Sequence, residues 1–157
     1  AAGGIASGSG ILATMALGAE GVQIGTLFAL TTESSAAEAF KQRCIALHEG
    51  DTMLCLKKIA PTRLIKNALY EEVAQAEDRG AQPDELKAIL GAAASKRGIF
   101  EGDVEHGELE IGQVAAAINS IESVDTVMQR LVTEFNACRQ RIMACPHFGG
   151  IDTNKQE

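Results

Sequence analysis

Small and apolar residues open the chain in a short, tightly punctuated pattern. Residues 1–4 are small and apolar, as at the end of a buried strand. Ile11 to Leu17 reads as a short helix with Ser7 or Ser9 as its cap and Gly18 as its end. Val22 to Ile24, bounded by Gly21 and Gly25, reads as a short buried strand. This part of the chain predicts strand end, loop, helix, strand and loop, which is one αβ step of a parallel architecture.

Beyond Ser34 and Ser35 the period becomes helical. An amphipathic stretch runs from Ala36 to about Leu47, and Thr52 to Leu56 reads as a brief extended segment. From Thr62, the residues Leu64, Ile65, Ala68, Leu69, Val73 and Ala76 repeat at helical spacing up to a stop at Gly80. Pro83, with Asp84 and Glu85 beside the positive end of the dipole, starts another helix predicted to reach about Arg97 and to end at Gly98. A glycine-punctuated acidic loop, GIFEGDVEHGE, leads to LEIGQVAAAI, whose later part predicts a short helix. Ser123 caps a long helix with Val124, Val127, Met128, Leu131, Phe135, Cys138 and Ile142 on one face, and Pro146 to Glu157 forms a polar, frayed tail.

Composition narrows the class. At 157 residues and 46% hydrophobic, the chain has the apolar mass for a core. A net charge of -7, one Tyr and no Trp argue against a nucleic-acid binder, which needs clustered cations and stacking rings. The four cysteines show no CxxC pair, so reduced thiols and a cytoplasmic location are expected. No apolar run approaches the roughly 18 residues of a membrane span.

The glycines carry the candidate chemistry. Without a Cβ, a glycine lets its N–H approach an anion and tolerates positive φ. Gly3 and Gly4 lie just before a helix start, and Gly25 with Thr26 forms a second loop that adds a hydroxyl donor. In a (β/α)8 barrel the common phosphate site uses the loops after strands seven and eight, which two such loops separated by one helix and one strand would match. Ligand-free glycine turns at strand ends are the competing reading. GSG is not GxGxxG and no P-loop Lys follows, which argues against a nucleoside triphosphate site.

The stretch AAGGIASGSGILATMALGAEGVQIGTLFALTTESSA resembles the flavin-phosphate region of the nitronate monooxygenase (2-nitropropane dioxygenase) family, which also includes flavin-dependent enoyl-acyl-carrier-protein reductases. The family pattern is approximately AAGGIADGRG followed by GADGVQMGTRF. TRLIKNALYEE and EGDVEHGELEIGQVAAAI are similar to later parts of the family, so the likeness touches residues 1 to about 135. The resemblance implies an α/β fold, the C-terminal part of a TIM (β/α)8 barrel, with this chain mostly helical. Residues 1–33 would hold the last barrel steps, 34–145 a C-terminal helical region and 146–157 a flexible tail. It further implies FMN as cofactor, its phosphate held by Gly3, Gly4, Gly25 and Thr26, with Ala2 and Gln23 in the supporting strands. Ser7, Ser9 and Leu27 depart from the usual Asp, Arg and Arg.

The implied activity is oxidation of alkyl nitronates with O2. The alternatives are reduction of an enoyl thioester with NAD(P)H, or a noncatalytic helical module that binds another chain. A barrel of this kind takes about 250 residues, and the chain starts inside the motif, so a piece of a longer protein is expected. The resemblance places the catalytic His upstream of Ala1 and assigns the role to none of His48, His106 and His147. Gln113 is a candidate for the substrate side of the flavin, since an amide both donates and accepts; a helix-start residue bonding only backbone is the alternative. The acidic loop around His106 lacks DxDxDG spacing, and Cys145 with His147 has no second pair, so no metal is expected. Lys57, Lys58, Arg63 and Lys66 could receive a carrier protein or a dinucleotide phosphate, against the default of a solvated basic face.

Overall fold

Ser7 starts the first helix. Its backbone is extended and its Oγ accepts the Gly10 N–H at 3.1 Å, capping helix α1 (Gly8–Ala16). Gly18, at φ +97°, then turns the chain back in a conformation that favours glycine. This geometry belongs to a computed structural model, which describes residues 1–145; the tail expected from Pro146, with His147, lies outside the described residues.

The returning segment lies parallel to the opening residues. Ala2 and Gln23 form a parallel bridge, and the Gln23 N–H donates to the Ala1 carbonyl at 2.8 Å. The expected buried strand Val22–Ile24 is reduced to this bridge, with Val22 and Ile24 half-buried and Gln23 exposed. A parallel strand gains its ladder from neighbours on its edges, and here one short neighbour is paired with it. Helix α2 (Thr26–Ala29) follows, then α3 (Glu38–Ile45), which begins two residues after the predicted Ala36.

The largest departure from expectation is at Thr62–Ile65. These residues form strand β2, antiparallel to β1 (Thr52–Cys55), in the register Thr52↔Ile65 to Cys55↔Thr62. The helical period failed here because the strand is covered on both faces. Leu64 packs with Cys55, Val73 and Leu86, while Ile65 packs with Phe40, Cys44 and Leu109. Consecutive apolar residues then read as one side of a helix when they are opposite sides of a strand. The helix itself, α4 (Ala68–Asp78), starts only after Asn67, whose Oδ1 accepts the Tyr70 N–H at 3.0 Å.

Helix α5 (Pro83–Leu90) is also shorter than expected, stopping at Gly91 with φ +67°. Gly98 is therefore no terminator. It lies in a π-helical turn, Lys96–Phe100, where an added Cβ would fall 2.5 Å from the Glu108 carbonyl oxygen. Glycine is needed there for the approach of two backbones. A short 3₁₀ helix, Gln113–Ala117, leads towards α6 (Val124–Met143), which Ser123 caps through the Thr126 N–H at 3.1 Å.

Two apolar clusters result. The larger joins Leu30, Phe40, Cys44, Ile65, Leu109 and Leu131, and the smaller sits between the hairpin, α4 and α5. On α6, Val127 and Leu131 are buried as their spacing predicts, whereas Met128 is 48% and Ile142 50% exposed. Part of the predicted apolar face instead borders an open hollow of ≈ 330 Å³, with Ile11, Ile24 and Phe28 on its other wall.

Candidate functional site

Strand pairing and turn geometry bring the glycines together. Gly3 and Gly4 follow the bridged Ala2 with φ of +93° and +69°, a conformation that L side chains rarely adopt. Gly25 follows Gln23 on the partner segment and precedes Thr26, the first residue of α2. Ala2, Gly3, Gly4, Gln23, Gly25 and Thr26 line one hollow of ≈ 360 Å³ together with Ile5, Gly112 and Val114. The residues marked from the sequence for a phosphate thus share one concavity. Gln113 is not among its walls.

No charged side chain lines the hollow, so its polarity comes from main-chain groups, the Thr26 hydroxyl and the Gln23 amide. Among the described residues, the Gly4, Gly25 and Thr26 amides meet no protein acceptor. The α1 terminus differs: the Gly8 N–H donates to Glu134 Oε2 at 2.8 Å and the Gly10 N–H to Ser7. The amides without a protein acceptor therefore lie ahead of α1 and at the start of α2. At Gly25 the φ of -92° suits any residue, and a Cβ would meet nothing within 4 Å. Neither backbone strain nor packing among the described residues requires glycine there.

Gly112 and Val114 were missed in the sequence. They arrive from a distant segment: the Ile65 N–H donates to the Leu109 carbonyl at 3.0 Å and the Ile111 N–H to that of Arg63 at 3.3 Å. Leu64 and Glu110 form an antiparallel bridge, so residues 109–111 run beside β2. Gly112 then donates its N–H to Thr26 Oγ1 at 3.2 Å. The Gly-Gln pair in LEIGQVAAAI is the sequence signal for this approach, and its Gly rather than its Gln lines the hollow.

Gln113 lines a separate hollow of ≈ 280 Å³ with His48, Glu49, Gly50 and Thr52. The basic group does not act as one patch. Lys58 Nζ donates to the carbonyls of Gly80 and Ala81 at 3.0 and 2.8 Å, and Arg63 donates to the carbonyl and hydroxyl of Thr52 at 3.1 and 3.2 Å. Arg63 also borders, with Glu110, a hollow of ≈ 440 Å³ that shares Gly25, Thr26 and Gly112 with the glycine hollow. His106 donates its backbone N–H to Asp103 Oδ1 at 2.9 Å. Among the described residues, no group of three or more His, Cys, Asp or Glu is arranged to hold a metal, and no helix is long and apolar enough to cross a membrane.

The profile of the nitronate monooxygenase family matches residues 1–134. The chain belongs to the nitronate monooxygenase family. A probable nitronate monooxygenase of Staphylococcus aureus (strain JH9) is 34% identical over 144 residues, covering 89% of this chain and 39% of the relative. Among solved structures, FabK from Thermotoga maritima superposes with a TM-score of 0.82 at 30% identity, covering 90% of this chain and 45% of FabK. A nitroalkane oxidase from Streptomyces ansochromogenes gives 0.68 at 30% identity, covering 90% and 40%. The chain thus spans about two fifths of the length of the relatives it matches.

Membership in the nitronate monooxygenase family makes this an oxidoreductase-family chain and its fold part of a TIM (β/α)8 barrel, helix-rich in the portion present. The departures from the family pattern have visible structural places. Ser7 caps α1 and lies 3.1 Å from Ser9 Oγ, and Leu27, where the pattern commonly has Arg, is 3% exposed in the larger core.

Proposed function

We propose that this chain supplies the phosphate-binding segment of an FMN-dependent oxidoreductase that oxidises alkyl nitronates with O2. The observation that carries the proposal is the convergence of Ala2, Gly3, Gly4, Gln23, Gly25 and Thr26 on one hollow. The residues fit the group. Glycine positions leave room where a Cβ would otherwise project, unpaired amides can donate to phosphate oxygens, and the Thr26 hydroxyl adds a donor. Preformed donors of this kind hold an anion without reorganising around it.

When bound, FMN supplies the electron transfer from nitronate to oxygen. The chain's own residues bind and orient its phosphate: the turn at Gly3 and Gly4 from one side, Gly25 and Thr26 from the other. Gln113, in the neighbouring hollow with His48, is proposed as a polar contact on the substrate side. Similarity to a probable nitronate monooxygenase of Staphylococcus and to a nitroalkane oxidase of Streptomyces favours chemistry on nitro compounds. The same cradle serves the alternative, enoyl-thioester reduction with NAD(P)H, and steady-state assays on the protein carrying this chain divide the two. Nitronate-dependent oxygen uptake supports the first; enoyl-dependent loss of NAD(P)H absorbance replaces it with the second.

Flavin binding tests the common basis. FMN is expected to quench on titration into the chain at least tenfold more tightly than riboflavin, as an extra charge-assisted contact set requires on the order of 1.4 kcal/mol or more. Equal affinity for the two flavins, or binding of neither, overturns the proposal.

A further inference from the structure

Gly112 has no conformational reason to be glycine. Its φ of -71° and ψ of 150° are open to any residue. A Cβ at this position would nevertheless lie 2.5 Å from Thr26 Oγ1, far inside van der Waals contact, while the Thr26 Cβ would be an ordinary 3.7 Å away. The constraint is therefore one oxygen atom. That same oxygen accepts the Gly112 N–H at 3.2 Å, across 86 residues of sequence.

A threonine hydroxyl has one hydrogen and two acceptor lone pairs. With one lone pair filled by the Gly112 amide, the hydrogen is turned away from Gly112. Among the described residues it meets no protein acceptor, and Thr26 lines the glycine hollow. An anion bound in that hollow would supply the acceptor.

We propose that Gly112 is a positioning residue of the anion cradle, its N–H orienting the Thr26 hydroxyl as a donor towards the bound phosphate and its missing Cβ allowing the approach. The proposal rests on the reading of this hollow as a phosphate site. It also gives the segment running beside β2 a function: the pairings at Leu109 and Ile111 hold Gly112 against Thr26. The cradle thus has a third wall contributed from outside the glycine motif.

The test is a double-mutant cycle in the full chain, with Gly112→Ala, Thr26→Ala and both together, read by FMN and riboflavin titrations and by thermal melts. Gly112→Ala should weaken FMN binding about tenfold, the scale of one charge-assisted hydrogen bond, and leave riboflavin binding unchanged. In the Thr26→Ala background the same change should cost nothing further in affinity or melting temperature, because the clashing oxygen is gone. Should Gly112→Ala alone fail to fold, recovery of folding in the double variant, with the flavin preference of Thr26→Ala, supports the proposal; no recovery overturns it. An equal penalty in both backgrounds, or an unchanged FMN-to-riboflavin ratio in Gly112→Ala, overturns the positioning role while leaving the cradle intact. A wild-type chain that does not prefer FMN removes the cradle reading and the positioning role together.

Discussion

The carboxylate of Glu134 accepts the backbone N–H of Gly8 at 2.8 Å, joining the first turn of α1 to the middle of α6. Arg130 anchors that carboxylate from one turn away at 3.3 Å and reaches Glu122 at 3.2 Å. The helix backbones touch so closely that a Cβ on Gly8 would lie 2.2 Å from both the Leu131 oxygen and the Phe135 nitrogen. Gly8→Ala should destabilise the chain by about 3 kcal/mol through overpacking. Helix propensity alone predicts the opposite sign, a gain of about 1 kcal/mol. Urea denaturation of the variant decides between them, and Glu134→Gln should cost only about 1 kcal/mol.

Asn67 is expected to be the most sensitive polar residue at the start of α4. Its Oδ1 caps α4, and its Nδ2 donates to the carbonyls of Val104 and Gly107 at 3.0 and 2.9 Å. Asn67→Ala should cost about 2–3 kcal/mol, one part cap and the rest unpaired carbonyls. Asn67→Ser keeps a capping oxygen and should recover about 1 kcal/mol of that loss. Equal destabilisation by the two substitutions in chemical denaturation would show that the cap contributes nothing.

Acid should weaken the seat of α6. Both Glu33 oxygens accept the Val124 N–H, at 3.0 and 2.9 Å, and Thr32 donates its hydroxyl to the same carboxylate. These bonds, the Val124 amide first, hold the Glu33 carboxyl below its ordinary 4.5. The unfolded chain then binds more protons than the folded one in the interval between the two values. The contribution is complete above 4.5 and is lost as pH falls through the lowered folded value. Glu33→Gln should flatten this limb of a stability–pH profile; an unchanged profile refutes the assignment.

Alkaline pH acts through buried thiols. Burial pushes Cys44 up to about 12 and Cys55 up to about 11, with Glu77 and Glu108 adding to the second. Both stay protonated in the folded chain when the unfolded chain begins to ionise near 9.0, so stability should decline above that pH. Iodoacetamide at pH 8 should modify the partly exposed Cys138 and Cys145 in the native chain and reach Cys44 and Cys55 only after unfolding. Native-state labelling of Cys44, mapped by mass spectrometry, would contradict this.

The glycine hollow was legible in sequence because its logic is local. Gly3 and Gly4 announce positive φ, and one helix length sets the return to Gly25. Ser7, Ser123 and Pro83 likewise marked their helix starts through short-range chemistry. What could not be read depended on distant chain. Thr62–Ile65 takes its conformation from β1 and from two separate cores, and Gly98 from the Glu108 backbone. Gly112 reaches the site only through pairing with β2, an arrangement to which no local spacing points.

One peptide bond separates Leu64 of the smaller cluster from Ile65 of the larger. The two clusters are thereby riveted together along β2: loosening either one drags on the other, so heat or denaturant should take them apart in one step rather than in sequence.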